Sequence, residues 1–242
     1  MVIVLNSRCT LAGLAIYRAA LSDVNVSHIT VLTRRPIPAW ATLPSDASSK
    51  TTVVLHTDFK EYPPEVAQRI VNNDACIWAL GKSALGMNEA EYDELTNGFV
   101  MACLGSLKKH GAGNQQQFRF VFISGEQADP TGRARQMWAR VKGRTEVDIL
   151  NFCKAAPQFK AHIYRPGYFF PSPKYPEDRK NQRPMSARIL DYIMTPALSL
   201  FAPELLSPIE DLSRFAVEVA KGCWPEQELF RNRDMRELIR QI

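Results

Sequence analysis

Residues 2–21 read VIVLNSRCTLAGLAIYRAAL. The apolar run Val2-Ile3-Val4-Leu5 predicts a buried strand, and the amphipathic run from Leu11 to Leu21 predicts a helix. Between them lies Asn6-Ser7-Arg8-Cys9-Thr10, at the turn where a dinucleotide-binding chain carries glycines. Of three such glycines, the first permits the tight turn, the second lets backbone approach a pyrophosphate, and the third packs helix on sheet. Counting back in threes from Gly13 gives Thr10 and Ser7, so only the packing glycine is present. The hydroxyls of Ser7 and Thr10 can bond phosphate oxygens or cap the helix. Their Cβ atoms nevertheless crowd a site suited to bare backbone. The helix N-terminus keeps its affinity for anions.

The same strand–helix alternation continues outward from this stretch. Further strands are predicted at His28–Thr33, Thr52–His56, Ala75–Leu80, Phe118–Ser124 and His162–Arg165. Helices are predicted at Pro64–Asn72, Ala90–Lys109, Arg133–Lys154, Arg188–Phe201 and Glu210–Lys221, the last after Ser207-Pro208-Ile209. The strands are continuous runs rich in Val and Ile, as in a sheet covered on both faces. The expected fold is therefore α/β: a Rossmann-type, doubly wound parallel sheet in a single domain over residues 1–242, with a small C-terminal region covering the substrate. Pro36–Lys50 and Pro171–Pro184 are expected to be loops, the second part of a lid or substrate-region insertion over 171–206. Ligands in such folds sit at the carboxyl ends of the strands, so a late loop is placed to close over one.

Composition narrows the functional classes. The 242 residues are 45% hydrophobic and 23% charged, with a mean hydropathy of -0.21. No apolar stretch approaches the roughly 20 residues of a membrane helix. No basic segment precedes an apolar core before Val2, so no secretory leader is expected, and a cytoplasmic location fits. The five cysteines are dispersed without a C-x-x-C pair, which suits reduced thiols, and the four histidines show no metal-ligand spacing. The net charge of +5 includes a cluster at Arg133, Arg135, Arg140, Lys142 and Arg144. It reads as a solvated helix face or as attraction for a phosphate-bearing ligand. No aromatic stripe interleaves with it, so no nucleic-acid partner is expected; the expected partner is a small-molecule substrate. Helices Ala90–Lys109 and Arg133–Lys154 can pair as a homodimer across a two-fold axis and serve a monomer equally well.

The strand ends carry the candidate ligand groups. Arg34 and Arg35 follow the second strand, where arginine accommodates a 2′-phosphate and an acid would bond a ribose hydroxyl. Thr57-Asp58-Phe59 follows the third strand, placed to meet an adenine, and Leu80-Gly81 closes the fourth. Together with Leu11-Ala12-Gly13, Ser124-Gly125, Val141-Lys142-Gly143, Tyr164-Arg165-Pro166-Gly167 and Pro208-Ile209-Glu210-Asp211-Leu212, these residues give a resemblance over nearly the whole chain. The chain resembles an atypical short-chain dehydrogenase/reductase, of the branch with Tat-interacting-protein-like and epimerase-like NAD(P)-binding proteins. The resemblance implies a cofactor site at Ser7, Thr10, Gly13, Arg34, Arg35, Asp58, Leu80, Gly81, Lys142 and Pro166. Its cofactor is NADP(H), or none at all given the missing glycines.

The family's catalysis uses a serine, with a tyrosine and a lysine spaced Y-x-x-x-K on one helical face. The resemblance places Ser124 at the serine and Lys142 at the lysine, but four residues before Lys142 stands Trp138. An indole donates a hydrogen bond and has no acid–base titration to offer. Glu126, as a general base, and Tyr168, as a substitute phenol, are the further catalytic candidates, and Trp138 itself can wall a planar substrate. Loss of the phosphate glycines coincides with loss of the tyrosine, which favours a non-redox step such as isomerisation, cyclisation or dehydration in biosynthetic tailoring. An NADP(H)-dependent reductase of a carbonyl or enone and a non-catalytic NADP(H)-binding sensor are the alternatives.

Overall fold

A computed structural model of the chain describes residues 1–5, 10–182 and 185–242. Its centre is a seven-stranded, all-parallel sheet of β1 (Val2–Leu5), β2 (Ile29–Thr33), β3 (Thr51–Leu55), β4 (Ala75–Trp78), β5 (Phe118–Ile123), β6 (Phe159–Arg165) and β7 (Leu229–Arg231). The order is β3-β2-β1-β4-β5-β6-β7, so direction of winding reverses between β1 and β4. Register follows directly: Val4 pairs with Leu32 on one side and Trp78 on the other. Ligands in open sheets collect at such a reversal, outside the carboxyl ends of the strands.

The helices are α1 (Leu11–Ser22), α2 (Ala47–Lys50), α3 (Pro64–Val71), α4 (Glu89–Asp93), α5 (Phe99–Lys109), α6 (Met137–Lys154), α7 (Pro176–Gln182), α8 (Met185–Phe201), α9 (Ile209–Lys221) and α10 (Asn232–Leu238). Helices α1 and α9 cover one face of the sheet, where Leu14, Tyr17, Leu212 and Phe215 are fully buried. Helices α5 and α6 belong to the other, packing Val100, Leu104 and Ile149 against Trp78, Phe120 and Phe122. Burial of each such side chain stabilises by about 1.5–3 kcal/mol before entropy is counted. The expected helix Ala90–Lys109 is α4 and α5 joined by a π-helical turn at Glu94–Gly98. Its start is fixed by a capping box between Asn88 and Glu91.

The stretch after β6 corrects the sequence expectation. Pro176–Gln182 is helical where a loop is expected from its prolines; Pro176 sits at the first helical position, which tolerates a missing N–H. Arg183 and Pro184 lie outside the described residues. A buried Arg18–Asp178 pair, bidentate at 2.5 and 3.0 Å, clamps α7 to α1. The guanidinium also stacks 3.8 Å over Tyr175 and donates to the Thr42 carbonyl at 2.8 Å. β7 and α10 have no counterpart among the sequence expectations: β7 is three residues long, too short to show a period. Among the described residues, no helix is long and apolar enough to cross a membrane.

Candidate active site

A cleft of about 840 Å³ opens at the carboxyl ends of β4, β5 and β6. One wall is the start of α1 with Thr10 and the segment Ala79–Ala84. The opposite wall carries Ser124, Trp138, Lys142 and Tyr168, and Asn181 and Gln182 of α7 border it. Tyr92 and Thr96 reach it from α4 and the π turn, an irregularity that re-aims side chains.

Trp138, Lys142 and Glu146 lie one helical turn apart on α6 and so share a face. That face is set by Gly143. A Cβ there would lie 2.0 Å from the Asp129 carbonyl carbon and 2.4 Å from Pro130 N, so only glycine lets the Asp129–Pro130 backbone seat against the helix. Asp129 then ties its own loop. Its carboxylate accepts from Thr131 N and Oγ1, Arg133 N and Ala134 N, and these bonds hold it down to a pKa of about 2. The Trp138 ring and the Lys142 amine both lie against Gly125, within 3.6 and 4.0 Å of where its Cβ would be.

Lys142 is half-buried. It donates to the Ser124 carbonyl at 2.7 Å and more distantly to the Ile123 carbonyl at 3.5 Å. Burial pushes its pKa down to about 8, opposed by the negative charge of Glu146. Glu146 itself is buried beneath the site and committed elsewhere. Arg165, at the end of β6, donates Nε to both its oxygens (2.9 and 3.1 Å) and NH2 to Oε2. The Ser124 hydroxyl donates to Glu146 Oε1. Ser124 therefore commits its proton to Glu146 and can offer only lone pairs to the cleft.

Tyr168 is positioned by the chain that follows it. Gly167 has Leu205 O 2.3 Å from its would-be Cβ, so glycine lets the segment before α9 lie flush on it. Tyr168 then pairs with that segment, N to Leu205 O and O to Ser207 N, both at 2.8 Å. Its hydroxyl donates to Asp191 Oδ1 of α8.

The other candidates separate into two groups. Thr10 caps α1, accepting from Gly13 N at 3.2 Å while its hydroxyl donates to Ala79 O at 3.0 Å, and with Leu80 and Gly81 it borders the cleft. Gly13 lies behind it, in the core, and Ser7 falls outside the described residues. Arg34, Arg35 and Asp58 do not line the cleft. The Arg34 guanidinium lies over Phe59 and Phe99 at 5.6 and 5.4 Å, and its buried Nε has no hydrogen-bond partner among the described residues. Arg35 is exposed, and Asp58 is an exposed turn residue whose carboxylate accepts from Lys60 N at 2.9 Å. Around Phe59 the space after β3 and β4 is filled by His56, Tyr62, Trp78 and Phe99. Pro166 is buried outside the cleft, its carbonyl accepting from Glu126 N at 2.9 Å. Glu126, expected as a base, is held away from the cleft by Arg231 Nε at 2.7 Å and Asn232 N at 3.0 Å.

Three groups escape sequence reasoning. Glu146 carries a weak signal, four residues beyond Lys142, and Arg165 stands in a motif used only for resemblance. Asp191 carries no signal.

Thr10, Gly81 and Trp138 border the cleft, whereas Arg34, Arg35 and Asp58 stand outside it, beside the aromatic cluster around Phe59.

No protein-family model matches the chain. Over 125 residues it is 30% identical to "Botcinic acid biosynthesis cluster B protein 16" of Botryotinia fuckeliana, covering 49% of this chain and 76% of that protein. Over 114 residues it is 25% identical to "Leucinostatins biosynthesis cluster protein T" of Purpureocillium lilacinum, spanning 47% of this chain and only 39% of that one. Among solved structures, the L-sorbose reductase of Gluconobacter frateurii, complexed with NADPH and L-sorbose, superposes with a TM-score of 0.66 at 12% identity, covering 95% of this chain and 94% of that one. A short chain dehydrogenase/reductase of Saccharomyces cerevisiae gives 0.64 at 18%, covering 96% of each chain. The UDP-N-acetylglucosamine 4-epimerase of Methanobrevibacter ruminantium gives 0.65 at 12%, covering 95% of this chain and 75% of that one. At such identities the shared property is the fold.

Proposed function

We infer a function from the premise that this chain belongs to the same family as the botcinic acid biosynthesis cluster B protein 16 of Botryotinia fuckeliana. The reading is an enzyme of biosynthetic tailoring on a short-chain-dehydrogenase scaffold, acting on a small carbonyl-bearing substrate by a non-redox step: isomerisation, cyclisation or dehydration. Trp138 beside Lys142 carries it, since an indole stands where a hydride-transferring relative needs a phenol.

In this reading Trp138 walls the substrate and Lys142 faces its carbonyl group. Tyr168 moves the proton: its oxygen accepts a substrate proton as its own passes to Asp191. The cleft orients a flexible substrate, which alone supplies much of a cyclisation barrier. Helix α7, clamped to α1 by Arg18–Asp178, borders it through Asn181 and Gln182. One observation favours NADP(H) binding instead, as a reductase or a sensor: Arg34, which follows β2 where a 2′-phosphate is expected in such folds, has a buried Nε with no hydrogen-bond partner among the described residues.

Trp138→Tyr separates the readings. With NADPH and an aryl ketone, neither wild type nor variant is expected to oxidise the nicotinamide. NADPH oxidation gained by the variant would mean that the cofactor site is intact and the non-redox reading wrong.

A further inference from the structure

We propose that Lys142 is a carbonyl-capturing amine, whose Nζ forms an imine with an aldehyde or ketone held against Trp138. This rests on the reading of the cleft as a carbonyl site and adds the covalent step.

The geometry supports it through what surrounds the amine. Its hydrogen-bond partners among the described residues are two main-chain carbonyls, those of Ser124 and Ile123. A neutral amine has two N–H groups and one lone pair. With both N–H groups turned to those carbonyls, the lone pair is left for the cleft that Lys142 lines. The nearest carboxylate on the same helix face, Glu146, would ordinarily claim a lysine four residues away. Here Arg165 and Ser124 hold it instead. Arg165 is thus a positioning residue: by neutralising Glu146 it leaves the lysine without a counter-ion, and burial then favours the uncharged, nucleophilic amine.

The step balances without a redox partner. The Nζ lone pair attacks the carbonyl carbon, a C–N bond forms, and the C=O electrons go to oxygen. That oxygen leaves as water. Overall one neutral amine and one carbonyl give one imine and one water, whose two hydrogens come from the nitrogen, and a proton taken up from solvent converts the imine to the iminium. The iminium acidifies the adjacent C–H bond, which isomerisation, dehydration and ring closure all use. Hydrolysis returns the free lysine.

Reductive trapping tests this on the full chain without a known substrate. The protein is incubated with cinnamaldehyde, or with formaldehyde so that fit is not required, in sodium cyanoborohydride, and modified lysines are mapped by mass spectrometry. Lys82 lines the same cleft but is exposed, and Lys154 is exposed elsewhere, so both serve as references. A depressed lysine pKa means a larger neutral fraction near neutrality. Lys142 is expected to be labelled about tenfold or more faster than either, with a rise centred near pH 8. The other titratable or charged groups around the cleft are Glu146 and Arg165 beneath it, Tyr92 on α4, Lys82 after β4, and Tyr168 with Asp191 behind it. Labelling of Lys142 with both probes at or below the rate of Lys82 and Lys154 would overturn the proposal. Trapping reads the amine and involves no turnover, so it can fail while the non-redox reading stands, and succeed while that reading fails.

Discussion

Arg165→Met is expected to lower the free energy of unfolding by about 3–5 kcal/mol, the usual cost of removing one partner from a buried ion pair. The side chains of Arg165 and Glu146 are only 11% and 4% exposed. The substitution leaves a carboxylate under the cleft with the Ser124 hydroxyl for its remaining hydrogen bond and Lys142 as a neighbouring cation. Converting the survivor to a neutral group, in the double variant Arg165→Met with Glu146→Gln, should recover much of the loss, because isosteric replacement of both charges is often close to neutral. Urea unfolding of the three proteins measures both quantities. A loss below about 1 kcal/mol, the range of exposed pairs, would mean that the pair is solvated and does not set the charge around Lys142. Where the single variant folds, its freed carboxylate should pair with Lys142 and slow the trapping of that amine.

The second large effect is steric. Gly143→Ala places a methyl group 2.0 Å from the Asp129 carbonyl carbon and 2.1 Å from its oxygen. Both neighbours are backbone, and the loop is fixed by four hydrogen bonds to the Asp129 carboxylate, with Asp129 N donating to Ala139 O at 2.9 Å. Relief requires the loop or the helix to move, at about 3 kcal/mol, the upper end for overpacking. The shift also displaces Trp138, one residue from Ala139, so its fluorescence should change together with the unfolding midpoint. Gly105→Ala on the exposed side of α5 is the counterpart: its Cβ meets nothing within 4 Å, and the helix should gain about 0.5–1 kcal/mol. Equal effects at the two glycines would show that close packing of Asp129 against α6 does not hold the cleft wall in place.

What could be read from the sequence follows a physical division. Buried parallel strands are mainly apolar runs, and β1 to β6 fall within a few residues of their expected positions because their β-branched and aromatic residues outweigh the few polar ones among them. The cleft's inner wall was legible through the family resemblance, which singles out Ser124, Lys142 and Trp138, and all three line the cleft. Contacts across long sequence separations were not. Asp191 meets Tyr168 across 23 residues, and Arg231 draws Glu126 off across 105. Neither pairing leaves a local pattern, so a base was expected at Glu126 where the structure has a surface ion pair. Helix α7 was obscured because its prolines and charges read as a loop until the Arg18–Asp178 pair supplies a tertiary reason to order it.

The stretch between β1 and α1 leaves the central claim with a direct test, because Thr10 spends its hydroxyl on the helix cap and on Ala79, not on a ligand. Titration of the protein with NADPH, NADP⁺ and NADH, followed by tryptophan fluorescence, reads the cleft through Trp138. No saturable change up to about millimolar concentration, an affinity near 4 kcal/mol, is expected for any of the three. Saturation at micromolar concentration with a preference for the 2′-phosphorylated forms would contradict the account, and would make Arg34 a cofactor ligand in a working nucleotide site.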